Sequence, residues 1–459
     1  MGKRLTRANL IKYVTYKKLY RSIKDDALFK RLFRNSSYLF FSNVITGVLG
    51  FVQTIFIAKF LGVEQYGILA LVMTYVMAVN QLLDFRVWEA VIKYVSEYCE
   101  NKDRRRAWAT IKLFYWIAFL TGLVAFLIAV LCAPLAARLL RQPEIAGLAN
   151  IFALSLLLLT VNGTSRAILQ VFDKFKWISI QAIMRAVTML VLTVSVLFAS
   201  YGIRGVLAAY VISSFLGTLV LSYFILRVLR SNLWNVRKEA NILLLRGRFR
   251  EIGWFMFHTN MSAFWGMVIR HFDVLILGYF RGPTEVGYFK LAKNFVLLIG
   301  KIYDPLYDSI FPEISKLWAL GCVKKFNRFL YKLTIITSTL FLPIALAMFI
   351  FCGMVIKLTV GSEFDSAVLA VRIMILGVTI GCIFTWARPT VIAIGKPVIG
   401  NIASMTGAIM VLFLAIIFVP SYGYLASASL AVLNYAVGHI IVIGGYFYYL
   451  RQKTRVAAC

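Results

Sequence analysis

The sequence predicts an all-α polytopic membrane protein with about twelve transmembrane helices in two six-helix repeats. The first observation is composition: over 459 residues the apolar content is 61% and the mean hydropathy is +0.81, which excludes an ordinary soluble domain. The second is length, because each of the following apolar stretches can cross a hydrocarbon core of roughly 30 Å as a helix. The stretches are 36–60, 66–86, 108–133, 147–172, 177–200, 204–229, 252–280, 286–311, 330–356, 366–395, 398–420 and 424–450.

The third observation is an internal repeat, in which landmark residues recur about 220 to 222 residues later in the same order. Phe60-Leu61-Gly62 with Gly67 recurs as Phe280-Arg281-Gly282 with Gly287, Tyr201-Gly202 as Tyr422-Gly423, and Arg166 with Lys174 as Arg388 with Lys396. Internal repeats of this kind are typical of secondary transporters, whose substrate site lies between the two halves.

The basic residues predict the orientation. Most of the 50 Lys and Arg lie in the amino terminus, every second loop and the carboxy terminus. The positive-inside rule therefore predicts a multi-pass protein of the cytoplasmic (inner) membrane with both termini in the cytoplasm. The predicted organisation is a basic amphipathic segment 1–35 without a cleavable signal peptide, an amino-terminal lobe 36–229, a basic cytoplasmic linker 230–251, a carboxy-terminal lobe 252–450 and a tail 451–459. Residues 87–107 and 312–329 are expected to continue the helices that precede them.

Charge and composition also limit the partners. Much of the net charge of +31 is attributed to topology and to attraction to anionic membrane lipids, and no nucleic-acid-binding motif accompanies it. The six cysteines have no CxxC spacing, and no cluster of His, Cys and carboxylates has metal-ligand spacing. The sequence therefore predicts free thiols and neither a metal nor a cofactor.

Many charged residues fall inside the predicted spans. The basic ones are Lys112, Arg166, Arg185, Arg270, Lys290, Lys293, Lys301, Arg372 and Arg388, and the acidic ones are Asp84, Asp273, Asp304 and Asp308. A charge that faces lipid at mid-bilayer costs roughly 2.5–3.5 kcal/mol, so these side chains must reach an interface, form ion pairs or face a hydrated cavity. Lys112, Lys290 and Arg372 lie close enough to a boundary to snorkel.

The charges concentrate on the seventh and eighth spans. Arg270 lies deep in the seventh span with Asp273 one turn on, where it could neutralise the guanidinium. On the eighth span a polar stripe runs at helical spacing through Lys290, Asn294, Leu297, Lys301, Asp304 and Asp308, with Lys293 beside it. Neutral polar residues Asn43 and Gln53 on the first span and Asn260 on the seventh are expected to line the same cleft. The alternative is a buried ion-pair network, but cations exceed acids, which favours a cavity.

A hydrated cavity with surplus Lys and Arg suits an anion, since phosphate oxygens accept charge-assisted hydrogen bonds from both. The expected diphosphate or headgroup contacts are Arg270, Lys293 and Lys301, followed by Arg388, Arg166, Arg185 and Lys290. Asp273, Asp304, Asp308 and His258 are expected either to tune these cations or to carry a coupling H⁺ or Na⁺.

Four motifs carry a family resemblance: Ala58–Gly67, Gly278–Tyr288, Phe311–Ser315 and Ile394–Pro397. With the repeat, they resemble the polysaccharide transporter branch of the multidrug/oligosaccharidyl-lipid/polysaccharide (MOP) exporter superfamily, and within it the Wzx-type O-antigen flippases. The resemblance implies two MATE-like lobes in a V around a central cleft. It also implies a non-enzymatic flippase that moves an undecaprenyl- or other polyprenyl-diphosphate-linked oligosaccharide from the inner to the outer leaflet by alternating access. Such a protein serves O-antigen or exopolysaccharide biosynthesis, with polysaccharide polymerase and ligase proteins as candidate partners.

Three other functions stay open on the sequence. A multidrug or cation antiporter of the same fold would be expected to have unpaired acids in its cleft. A membrane glycosyltransferase or polymerase acting on lipid-linked sugars would need catalytic groups in an external loop, and only the loop 134–146 exceeds about ten residues. An uncoupled scramblase has no distinguishing sequence feature.

Overall fold

A computed structural model describes the backbone of residues 27–319 and 323–456. Their side chains are described except at 27–33, 36, 258–259, 261–263, 299, 301–309, 311–313, 316, 319 and 452–456. The helices of the amino-terminal half are α1 (Ala27–Leu83), α2 (Val87–Glu100), α3 (Arg104–Leu131), α4 (Ala133–Leu139), α5 (Glu144–Ala153), α6 (Leu156–Val171), α7 (Phe175–Phe198) and α8 (Gly202–Asn232). Two 3₁₀ turns (Trp234–Val236 and Ile242–Arg248) lead to α9 (Phe249–Met267), a π-helical turn (Val268–Phe272), α10 (Asp273–Arg281), α11 (Pro283–Ala319), α12 (Val323–Thr359), a 3₁₀ turn (Ser362–Phe364), α13 (Ala367–Ile383), α14 (Ala387–Ala393) and α15 (Pro397–Val456).

The described helices supply the predicted crossings, and the all-α polytopic prediction is confirmed. Eight helical stretches among the described residues are long and apolar enough to span a membrane. Two of them, α1 and α15, each hold two crossings, because the chain breaks at Gly62 (φ 73°) and at Gly423 (φ 57°). The charged helices α9–α10 and α11 provide the seventh and eighth predicted spans.

One local prediction is wrong, since residues 87–107 do not continue the second span. Helix α1 ends at Leu83, Arg86 adopts a left-handed conformation (φ 46°), and α2 begins at Val87. The hydrophobic pattern carries on through this break because α2 is itself amphipathic and buries one face against α3 and α6. Hydrophobic periodicity therefore does not reveal the change of direction.

The connections define two ends of the bundle. At one end, here the basic end, lie the connections 84–86, 101–103, 172–174, 233–248 and 394–396; at the other, the turn end, lie Gly62, residues 199–201, Gly282, residues 360–366 and Gly423. The core around the turn end is continuous across both halves and includes Leu71, Phe152, Phe289 and Phe341. At the basic end the cores are separate, one around Tyr94 and Phe114 and the other around Phe326 and Tyr446. The halves are thus joined at the turn end and apart at the basic end, as in a V.

The linker between the halves is fixed to the first half. Lys112 donates hydrogen bonds to the carbonyls of Arg237 (2.9 Å) and Ala240 (2.8 Å), so this predicted snorkelling lysine reaches the basic end but binds protein there. Arg248 contacts Glu97 (2.6 Å) and Glu251 (2.9 Å). The seam at which the second half departs from the first therefore lies at the start of α9.

Replacing Arg248 by Ala should lower the free energy of unfolding by an amount typical of partly exposed ion pairs, about 0.5–1 kcal/mol, which lowers the Tm by about 1–2 °C.

The effect of this replacement should depend on pH, because hydrogen bonding from Arg248 lowers the pKa of Glu251. A carboxylate with a lowered pKa stabilises the fold above its ordinary pKa, and the stabilisation is lost as the pH falls through the lowered value. The Tm difference between wild type and Arg248→Ala should therefore persist from pH 8 to about pH 4.5 and shrink below it. Arg246→Ala, an exposed arginine in the same turn, is the control; an equal effect there would contradict a specific contact.

Candidate functional site

The turn end is closed by direct backbone contact between the halves. A Cβ atom at Gly67 would overlap the carbonyl oxygen of Pro283, and a Cβ at Gly287 would overlap that of Val63. The two contacts are equivalent under the repeat, so each half places its glycine against the opening residues of the partner helix. Only glycine allows α1 and α11 to approach this closely.

Side chains extend this seal inward. Asn294 of α11 donates a hydrogen bond to the Tyr66 hydroxyl of α1 (2.9 Å), and Leu71 packs against Gly278 of α10. Asn294, predicted to line the cleft, thus closes the interface between the halves instead.

Below the seal lies a cavity of about 1010 Å³, here called the central cavity, which lies between the halves. The first half lines it with Met77, Asn80, Gln81, Asp84, Arg86 and Trp88; the second half with Trp265, Gly266, Ile269, Arg270, His271, Arg388, Asn401, Ile402, Ser404 and Met405. Because its first-half wall is the basic-end part of α1 and the start of α2, the cavity lies toward the basic end. Its volume is at the upper end of the roughly 300–1,000 Å³ of small-molecule sites.

The charge of the central cavity is positive. Arg270 and Arg388 are both exposed to it, and within the described residues neither has a carboxylate at ion-pair distance. Arg86 also faces it, although Glu89 pairs with this guanidinium at 3.0 Å. Asp84 is the one carboxylate among the lining residues. Such a wall attracts an anion and opposes a cation.

A π-helical turn, Val268–Phe272, shapes the second-half wall. Single π turns occur frequently at functional sites, since the extra residue changes which side chains share a face. Here His271 reaches across to Gln81 of α1 (3.1 Å). Asp273 pairs with Lys293 of α11 (2.5 Å) and not with Arg270, so the prediction that it neutralises Arg270 is wrong. The widened turn separates the two residues that a regular helix would stack.

Two smaller cavities extend from the central one into the second half. The inner cavity, about 310 Å³, has largely apolar walls and contains the Asp273–Lys293 pair, whose ammonium also donates to the carbonyl of Arg270 (3.1 Å). The side cavity, about 460 Å³, is lined by Ile269, Ala387, Arg388, Gly400, Ala403, Ser404, Asn434, Tyr435, Gly438, His439 and Val442. All three cavities have Ile269 in their lining, so they adjoin one another.

Other predicted site residues lie elsewhere. Arg166 bonds to Gln181 (3.2 Å) and Arg185 to Ser214 (3.3 Å) inside the first half, away from the three cavities. Their role as substrate contacts stays a prediction.

The residues predicted as neutral lining do not line the three cavities. Gln53 is buried against Thr193 (3.0 Å), Asn260 reaches the carbonyl of Leu82 (3.5 Å), and Asn43 and Lys290 line none of the three cavities. The side chains of His258, Lys301, Asp304 and Asp308 lie outside the described residues.

Sequence reasoning missed several cavity residues, namely Gln81, Arg86, Trp88, Trp265, His271, Ser404, Asn434 and His439. Their polar or aromatic character is unremarkable in isolation. The one available signal was the position of His271, directly beside Arg270 in a span already marked by its charges.

The fold and the cavity define a multi-pass membrane protein with a positively charged cavity between its halves. The pattern of the polysaccharide biosynthesis protein family matches residues 32–318, which is more than half of the chain. The chain therefore belongs to the polysaccharide biosynthesis protein family.

Similar proteins agree with this assignment. The inner membrane protein YghQ of Escherichia coli K12 is 22% identical over 305 residues, covering 64% of this chain and 85% of that protein. A Shigella flexneri protein provisionally named as an O-antigen transporter is 19% identical over 402 residues, covering 86% and 93%.

Solved structures show the same fold. The lipid II flippase MurJ in an inward closed conformation has a TM-score of 0.69 at 18% identity, covering 90% of this chain and 87% of that one. An inward-facing multidrug transporter of the MATE family has a TM-score of 0.72 at 14% identity, covering 90% and 95%.

Replacing Gly67 or Gly287 by Ala should break the seal, because each added methyl group meets a carbonyl oxygen of the other half. In a cysteine-free background, a Ser404→Cys reporter in the central cavity should become accessible from the turn end to a membrane-impermeant maleimide. Gly50→Ala is the matched control, since Gly50 lies on the same helix with nothing within 4 Å of its Cβ position. Unchanged labelling in both seal variants would show that the contact does not close the cavity.

Replacing Lys293 by Met should leave the Asp273 carboxylate without its partner in a mostly apolar cavity, at a cost of up to about 3 kcal/mol. The double variant Asp273→Asn/Lys293→Met removes both charges and should recover most of the loss. Thermal unfolding in detergent measures both effects. A single variant as stable as wild type would show that the pair does not support the fold.

Proposed function

We propose that this protein is a flippase for polyprenyl-diphosphate-linked oligosaccharides, such as the undecaprenyl-diphosphate intermediates of O-antigen or exopolysaccharide synthesis. The basic end faces the cytoplasm of the inner membrane, and the lipid-linked saccharide enters there. Family membership supports the general class of substrate. The observation that carries the proposal is the pair Arg270 and Arg388, both exposed to the central cavity without a carboxylate partner among the described residues.

The two guanidiniums match a diphosphate in charge. Arg binds phosphate oxygens bidentately, and one charge pair at 4 Å contributes about 4 kcal/mol at an effective dielectric of 20, before desolvation is subtracted. Two such contacts hold a diphosphate while leaving it free to depart. Lys293 is less available than the sequence suggested, because Asp273 pairs with it.

The described conformation is one state of an alternating-access cycle. With the turn end sealed by Gly67 and Gly287, the headgroup enters from the basic end and is released after the halves part at the turn end. The lipid tail stays in the bilayer throughout. Coupling to H⁺ or Na⁺ through Asp273 would require its separation from Lys293.

A cation antiporter of the same fold is the second candidate, since an inward-facing multidrug transporter shares the architecture. Asp84 is the observation in its favour, as a cavity-lining carboxylate that makes no ion pair within the described part of the chain. The arginines that line the same cavity would repel a cation, which disfavours a cation antiporter.

The test is binding of undecaprenyl diphosphate to purified protein, measured by native mass spectrometry and titration in nanodiscs. Arg270→Ala and Arg388→Ala should each raise the Kd by about 10–100-fold, the loss expected for one hydrogen bond to a charged group. Arg138→Ala, an exposed arginine of α4, is the control and should not change the Kd. Preferential binding of an organic cation that is lost in Asp84→Asn would instead support the antiporter.

A further inference from the structure

The two halves differ inside, at positions that the repeat makes equivalent. In the first half, long polar side chains fill the space between α6, α7 and α8. The stem of Arg185 lies 3.2–3.3 Å from the Cβ position of Gly217, and Gln181 donates to the carbonyl of Gly217 (3.2 Å). Arg166 bonds to Gln181 and closes the cluster. These three side chains therefore occupy the space between the helices.

The same space in the second half is hollow. At the repeat offset of Arg166 and Arg388, the counterparts of Arg185 and Gln181 are Gly407 and Ala403, so both long side chains are missing. At the offset of Tyr201 and Tyr422, which is one residue shorter, the counterpart of Gly217 is Gly438, whose Cβ position has nothing within 4 Å. The side cavity of about 460 Å³ occupies this space. It results from substitution within one repeat and not from loose packing.

The lining of the side cavity has the chemistry of a site for a hydroxyl-rich ligand. Asn434 supplies an amide that lies against Gly407, where Arg185 lies in the first half. Ser404 supplies a hydroxyl, and His439 bonds through Nδ1 to the carbonyl of Tyr435 (2.7 Å), which leaves its Nε2 for another partner. These groups donate and accept hydrogen bonds without adding a fixed charge.

The side cavity adjoins the central cavity, in which Arg388 is proposed to bind the diphosphate. Arg388 and Ser404 line both the central and the side cavity, so Arg388 lies at their shared boundary. A ligand whose phosphate lies on Arg388 can extend an uncharged group into the side cavity.

We propose that the side cavity binds the sugar residue attached directly to the diphosphate, with Asn434, Ser404 and His439 as its hydrogen-bonding partners. This inference rests on the proposed function and adds to it a subsite in the second half that recognises the glycan. The polar lining favours a sugar over a polyprenyl chain, which would leave the Asn434 amide and His439 Nε2 without hydrogen-bonding partners.

The test fills the cavity without touching the arginines. Gly438→Leu places a side chain in the open space, whereas Gly444→Leu, on the same helix and also without a neighbour within 4 Å, lies outside the cavity. Both are titrated in nanodiscs with undecaprenyl diphosphate and with undecaprenyl-diphosphate N-acetylglucosamine. Asn434→Ala is the second, smaller change.

We expect wild type and Gly444→Leu to bind the glycosylated lipid at least tenfold more tightly than the bare lipid. Gly438→Leu should lose this preference and keep its affinity for the bare lipid, and Asn434→Ala should reduce the preference. Equal binding of both lipids by wild type, or an equal loss for both in Gly438→Leu, would overturn the subsite while leaving the proposed function intact. Failure of wild type to bind either lipid would overturn the proposed function and the subsite together.

Discussion

The close approach of two backbones at the turn end is the constraint on which the rest of the structure depends. Gly67 and Gly287 bring α1 and α11 together so closely that the cores of both halves merge around them. Toward the basic end the halves diverge, and their cores are separate there. The central cavity is the space that this divergence creates. The seal and the opening are therefore two results of one contact.

The charged residues of the cavities have two different roles: some neutralise each other, and others are available to an anion. Lys293 and Asp273 neutralise each other in a mostly apolar space, where an isolated charge would be expensive. Arg270 and Arg388 remain exposed to the larger cavity. Water can solvate their charges there until an anion binds. The same residue types on neighbouring helices thus have different roles because their surroundings differ.

The internal repeat accounts for the symmetric contacts that join the two halves. The positions at which the halves differ account for the side cavity. The glycine contacts are symmetric, since each half needs the same closure. The interiors are not: Arg185 and Gln181 fill the first half, whereas Gly407 and Ala403 leave the second half hollow. The second half therefore carries the inner and side cavities, together with the π turn that directs His271 toward the first half.

The sequence by itself determined the all-α membrane fold, the repeat and the excess of cations, because hydropathy, spacing and charge are local properties of the chain. It also marked Arg270 and Arg388 as cavity residues and Gly67 and Gly287 as equivalent landmarks. Tertiary structure decided which charges are paired and which polar residues face the cavity. Asn294 and Gln53 were expected in the cleft, yet one binds Tyr66 and the other Thr193, since helix rotation and tilt select the partner. The π turn moved Asp273 to Lys293, a change of register that no helical periodicity contains.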